Sequence, residues 1–268
     1  MTAALPPVIL PRTPPSRHRW MAWSAVGLVV VAFAVWAAIR IHGLTESTQA
    51  TNPILRWEYV FKRQQTPQEL WDLTTEHLRL TVTAVVAGFV IASLLAALAL
   101  RLRWTFTPIT VFTGFLYTIP SIALFGVLAG VTSNFVAAEV ALTSYTLLIL
   151  VRNIVAGIDG VPRSALDAAD GLGMGRVRRL FTVEVPLAAP VIITGIRVAT
   201  VTTIGLVGIT TFIQLGGLGS LIFDGYNRDF TTLLVLGSVL SIALAVILDL
   251  ALAGLERLLT PWTRRAQA

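Results

Sequence analysis

The chain has 268 residues, of which 55% are hydrophobic and only 13% charged, and its mean hydropathy is +0.78. That leaves too little polar surface to solvate a globule of this size, so a soluble protein is excluded and an integral membrane protein is implied. The net charge of +6 sits in arginines at the ends of apolar runs rather than on one basic face, which argues for bilayer orientation and against nucleic-acid binding. The absence of cysteine excludes thiol catalysis, disulfides and Cys-ligated metals.

About 20 mostly apolar residues cross a bilayer, and six runs qualify: 21–39, 78–100, 107–130, 135–158, 187–213 and 231–253. An all-α membrane protein with six transmembrane helices is expected. The first run follows Arg12, Arg17 and Arg19, but it is longer than a signal core and no small-x-small cleavage site follows, so it reads as an uncleaved anchor. The segment 42–77 is the one long outer connection. Its Pro53, Pro67, Trp57, Tyr59, Phe61 and Trp71 fit either a helix or two at the headgroup level or a loose linker.

With the N-terminal arginines inside, Arg101, Arg103, Arg163, Arg176, Arg178, Arg179, Arg257, Arg264 and Arg265 all fall on the same side, leaving Arg56, Lys62, Arg63 and Arg228 opposite. Both termini are therefore expected in the cytoplasm. The organisation that follows is a cytoplasmic tail (1–20), an anchor with its outer loop (21–75), a core (76–261) containing a cytoplasmic loop at 159–186, and a short cytoplasmic tail (262–268).

That cytoplasmic loop, which includes DAADGLGMGRVRRLFTVEVP at 167–186, is too polar to lie in lipid and must project into water. Pro162 stops the preceding helix, Ser164 is expected to cap a new one, and Asp167 three residues on completes a capping-box-like pair. Ala165, Ala168 and Ala169 leave this short helix with little bulk on one side, suited to another protein's groove. Gly171 and Gly173 are expected to end it, and a second basic helix is expected from Gly175 toward Val183 before Pro186 opens the next span.

These residues resemble the permease subunits of bacterial ATP-binding-cassette importers. The family pattern is Glu-Ala-Ala, three residues, Gly, nine residues, an aliphatic residue, any residue, then Leu-Pro. It is met at Asp167-Ala168-Ala169, Gly173, Val183 and Val185-Pro186, with Asp for Glu and Val for Leu. Six further segments are similar to the osmoprotectant branch of that family: EHLRLTV (76–82), YTIPSIALFGVL (117–128), LVRNIVAGIDGV (150–161), PLAAPVIITGIRVATV (186–201), GGLGSLIFDGY (216–226) and ILDLALAGLERLLTP (247–261).

The resemblance implies a five-helix core, with 21–39 as an added helix, and a coupling helix formed by Asp167, Ala168, Ala169, Gly171 and Gly173 up to Pro186. It also implies separate ATPase subunits that bind ATP and Mg, a second permease copy or paralogue, an extracytoplasmic solute-binding protein, and a place in the bacterial inner membrane. The implied cargo is glycine betaine, choline, carnitine or a similar quaternary ammonium compound. Methionine or another small organic solute is the alternative, and a membrane anchor or sensor that moves nothing is another.

The chain itself has no enzyme site. Its only lysine, Lys62, lacks the glycines of a phosphate-binding loop, and His18, His42 and His77 scatter at span edges as interfacial residues, without metal-ligand spacing. No cofactor is expected in this chain.

Candidates for the solute path are the polar and aromatic residues within spans. Thr200, Thr203, Thr210, Thr211 and Gln214 form one helical stripe with Arg197 at its cytoplasmic side, facing either the pore or a partner helix. A mid-span arginine needs a partner or water; Glu139 and Asp249 are the acids in reach, and Glu139 also fits the outer interface. Tyr117, Phe125, Tyr145 and Phe212 could offer ring faces to a quaternary ammonium or simply pack. Gly216, Gly217 and Gly219 mark an outer turn suited to tight re-entry or to a binding-protein contact.

Overall fold

A computed structural model describes residues 66–262. The expected helix at 21–39, the N-terminal tail and most of the long connection lie outside the described residues.

The first element, α1 (Pro67–Arg101), begins with a capping box. The Thr66 hydroxyl accepts from the Glu69 N–H and the Glu69 carboxylate accepts from the Thr66 N–H, with Pro67 in the first turn. The helix therefore starts eleven residues before the expected span, and 67–77 is its opening rather than part of a headgroup-level connection. Thr-Pro-Gln-Glu at 66–69 was the signal for this start.

The next expected span, 107–130, is not one straight helix. It is α2 (Phe106–Thr118) and α3 (Ser121–Ala129), bent by 88° at the break. Pro120 has no N–H and its ring excludes helical geometry at the residue before it, so Ile119 is extended, with φ −65° and ψ 130°.

The remaining elements are α4 (Asn134–Asp159), which is capped by Ser133, the short α5 (Arg163–Gly171), α6 (Arg176–Arg179), α7 (Val185–Val207), α8 (Gly219–Asn227) and α9 (Thr231–Leu259). Among the described residues four helices are long and apolar enough to span, five if the bent pair counts as one span. The six-helix expectation is therefore met only in this coarser, all-helical form.

Helix α4 is the centre of the bundle. Of its most apolar stretch 56% is buried, against 22% for α9 at the edge. It lies against α1 through a stripe of small residues, Ala84, Gly88, Ala92, Ala96 and Ala99, whose spacing of three or four keeps them on one face and lets the two backbones approach. Leu147, Leu150, Val151 and Ile154 fill the space opposite, together with Ala199 of α7. At the other end of α4, Phe125, Ala137, Ala141, Leu142 and Val207 form a second cluster.

The chain from Arg176 to Val207 stays helical throughout. A π-turn at 180–184 joins α6 to α7, so Pro186 stands in the first turn of α7, as expected, without breaking the helical path. The wider turn takes up the missing N–H and the ring of proline without a break.

Helix α8 folds back antiparallel to the start of α9. A side chain at Gly225 would strike the Leu234 backbone, and one at Gly237 would lie 2.8 Å from Leu221 Cβ. Gly225→Val is therefore expected to destabilise the bundle by about 1–3 kcal/mol, read as a lower melting temperature of the purified chain, whereas Gly254→Ala, at an open position inside α9, is expected to hold or slightly raise it.

Candidate functional site

Three constructions stand out. The first is the loop carrying α5 and α6. α5 ends in a Schellman motif: the Met174 N–H donates to the Ala169 carbonyl at 3.1 Å and the Gly173 N–H to the Asp170 carbonyl at 2.9 Å, with Gly173 at φ +70°. The left-handed position is Gly173 alone, while Gly171 is the last residue of the helix. Ser164 is the second residue of α5, and no side chain caps the helix; Pro162 stands at that position.

Arg179 staples the loop shut. Its Nη1 donates to both carboxylate oxygens of Asp170 at 2.7 Å and its Nε to Glu184 at 2.8 Å. The alanine face is split by this arrangement. Ala169 is buried in the chain's own packing, Ala165 is half-buried, and Asp167 and Ala168 are exposed beside exposed Leu172, Val177 and Phe181. Arg103, in the 3₁₀ turn between α1 and α2, pairs through two bonds with Asp159 at the end of α4. Behind the loop a cavity of about 1130 Å³ opens, walled by Phe89, Ser93 and Ala97 of α1, Ile192 of α7, and Arg163 and Asp167 of α5.

The second construction lies within the bundle. Arg197 of α7 donates from Nε and Nη2 to the two Asp249 oxygens at 2.8 Å each, and from Nη1 to Glu256 at 3.3 Å, tying α7 to α9. Of the two acids in reach by sequence, Asp249 is the partner. Glu139 accepts instead from the Thr83 hydroxyl near Arg79, whose guanidinium lies 5.3 Å from the Phe135 ring centre. Glu256 escaped the sequence reading, although seven residues from Asp249 places it on the same face of α9.

The third is at the opposite end of the bundle. The Glu76 carboxylate accepts the N–H groups of Gly216 and Gly217 at 3.2 and 3.1 Å. His77 is fully buried rather than interfacial. The Leu218 N–H donates to its Nδ1 at 3.2 Å, which leaves Nε2–H to donate to the Ile204 carbonyl at 3.1 Å. One residue pair in the third turn of α1 thus holds both the end of α7 and the turn after it. A Cβ at Gly216 would collide with the Glu76 carboxylate, and one at Gly219 with the Gly208 backbone. This pair was missed because burial and long-range backbone bonds leave no local pattern; the segment 76–82 was the only sign of it.

The other path candidates separate. Thr200 and Thr203 are buried on α7 and bond the carbonyls of Ile196 and Ala199 at 2.8 Å. The helix stops at Val207, so the expected stripe does not continue. Thr210 and Thr211 lie on a 3₁₀ turn, Thr210 bonding the Val207 carbonyl, and Gln214 is left-handed at φ 61° and exposed. Phe125 is fully buried. Tyr145 is buried and donates to the Ile119 carbonyl at 2.6 Å, with Tyr117, which is exposed, set edge-on to its ring.

Residues 78–265 match the sequence profile of the family described as binding-protein-dependent transport system inner membrane component. The chain belongs to this family. The permease is 38% identical over 198 residues to the osmoprotectant import permease protein OsmW of Salmonella typhimurium, covering 72% of this chain and 92% of that one. It is 38% identical over 196 residues to the glycine betaine/carnitine/choline transport system permease protein OpuCB of Bacillus subtilis, covering 72% and 89%. Its fold is similar to a chain of the inward-facing MetNI methionine ABC transporter, with a TM-score of 0.65 at 19% identity, over 73% of this chain and all of that one. The permease is thus a multi-pass inner-membrane transport component, and its relatives are named as permease proteins, not ATPases.

Because Arg197 faces two acids, Arg197→Gln leaves two carboxylates short of a partner and is expected to cost about 1–3 kcal/mol. Adding Asp249→Asn should recover part of that loss. Thermal melts of the two variants in detergent check it.

Proposed function

We propose that this permease is the membrane subunit of an ATP-driven importer for small quaternary ammonium osmoprotectants such as glycine betaine, choline or carnitine. It works with a second permease copy or a paralogue, a solute-binding protein on the outer side, and separate ATPase subunits that bind ATP and Mg. The end bearing α5 and α6 is cytoplasmic, as are both termini. The observation that carries the coupling role is the stapled loop itself: Asp167 and Ala168 are presented to solvent by a helix whose end is locked by Gly173 and Arg179. The substrate class is supported by the named substrates of the relatives.

Helix α5 is the coupling helix in this reading, and the mechanics follow from continuity. The 32 residues from Arg176 to Val207 form one helical path, about 48 Å long, so a push on the loop reaches α7 without an intervening hinge. The Arg197 pairs carry the same motion into α9. Closure of the ATPase pair on ATP draws the two coupling loops together and favours the outward-open bundle, and hydrolysis restores the inward-open one. Each switch is driven by the difference in binding free energy between the two states. Solute passes from the binding protein into the bundle near Gly216 and Gly217, past exposed Gln214 where α7 has ended, while Arg197, Thr200, Thr203 and Thr210 stay bonded within the bundle.

Ala168→Arg places a charge on the exposed face of α5 and is expected to abolish both co-purification of the ATPase and uptake. Gly173→Val forces a β-branched residue into left-handed geometry, at a cost of about 1–2 kcal/mol, and should weaken the same association. Retention of ATPase and uptake in Ala168→Arg would sink the coupling role. Calorimetry of the cognate binding protein with glycine betaine, choline, carnitine and methionine tests the substrate class; binding of methionine alone would overturn it.

A further inference from the structure

Helix α7 ends inside the bundle, not at its surface. α8 returns along α9 with Leu221 and Ile222 against Gly237. Gly237 lies six residues into α9 (Thr231–Leu259), about 9 Å from its start. Gly219, at the foot of α8, meets Gly208 just past the end of α7. The irregular segment 208–218 therefore sits at least that far below the end of α9. Non-helical backbone at such depth is tolerated against protein or a water-filled cavity, not against lipid.

Phe212 belongs to this segment and keeps 53% of its surface exposed. Phe223 of α8 is set T-shaped against it, with ring centres 4.8 Å apart and planes inclined by 64°. Two residues on, Gln214 is exposed, and Thr211 Oγ1 is a buried side-chain oxygen without a partner. An exposed aromatic ring with an amide two residues on, on backbone that lipid does not cover, suits a trimethylammonium group. Such a group donates no N–H bond and is drawn to the negative face of an aromatic ring. Of the other aromatic candidates, Phe125 and Tyr145 are closed by burial, and Tyr117 on α2 is exposed but sits on a regular helix rather than on irregular backbone.

We propose that Phe212, backed by Phe223 and followed by Gln214, is a transient docking face for the quaternary ammonium of the incoming solute, held in place by Glu76 and His77 as positioning residues. Glu76 fixes the N–H groups of Gly216 and Gly217. His77 takes the Leu218 N–H and is itself tied to the Ile204 carbonyl of α7, so the segment cannot swing away from α1 without breaking three long-range bonds. The inference rests on the substrate class proposed above.

The test uses the whole complex, permease with ATPase and binding protein, in proteoliposomes, with uptake of labelled choline and glycine betaine as the readout. Phe212→Leu is expected to raise KM about fivefold, the size of one moderately desolvated cation–π contact, and Phe212→Tyr to stay near wild type. Replacing Phe212 with phenylalanines of increasing fluorination keeps the shape while draining the ring face, so KM should climb with each fluorine even if the leucine variant fails to assemble. For the positioning pair, His77→Leu should lower kcat and raise KM. His77→Gln, whose amide can both accept and donate, should restore much of the loss.

A KM that ignores fluorination while uptake persists overturns the docking face and leaves the substrate class standing. Equal behaviour of His77→Leu and His77→Gln overturns the positioning role. Uptake of methionine with none of choline or glycine betaine overturns both the face and the substrate class.

Discussion

Backbone groups in a bilayer must find partners within the protein, and each interruption of a long helix in this permease is answered by a particular bond. At Ile119 and Pro120 the freed carbonyl takes the Tyr145 hydroxyl. After α5 the Schellman turn at Gly173 uses the carbonyls of Ala169 and Asp170. Beyond α7 the N–H groups of residues 216–218 are taken by Glu76 and His77. The bent α2–α3 pair and the re-entrant segment rest on this requirement, whereas the projecting loop, which lies in water, closes its own helix end locally.

The same economy governs charge. An arginine in mid-span is costly unless paired, and Arg197 faces two carboxylates of α9. Its guanidinium is thereby committed to joining helices, and in the proposed cycle it serves as a mechanical link between α7 and α9 more readily than as a solute ligand. The threonines of α7 are committed in the same way, each to a carbonyl one turn back. What stays exposed is the stretch beyond the helix end, at Phe212 and Gln214.

Much of the projecting loop was legible because its chemistry is local. Pro162, the alanines and Gly173 act within a few residues of themselves, and the left-handed position at Gly173 follows from the motif's own spacing. Ser164 misled because a good capping residue loses to Pro162, whose fixed φ already suits the residue before a helix. The early start of α1 was readable from Thr66 and Glu69 but was masked by the aromatic content of the segment before it. The stripe from Thr200 to Gln214 failed because helical periodicity says nothing about where a helix ends when no proline marks the place.

Hydropathy and residue spacing alone determined that this is a helical membrane protein, where its apolar runs lie and which loop projects from them, since transfer to lipid and turn geometry depend on neighbouring residues. The choice of Asp249 and Glu256 over Glu139, the burial of His77 and the exposure of Phe212 were decided only by the tertiary structure. The first two depend on groups between 52 and 141 residues apart meeting across the packed bundle, and a carbonyl or carboxylate carries no mark in the sequence of the distant partner it will meet.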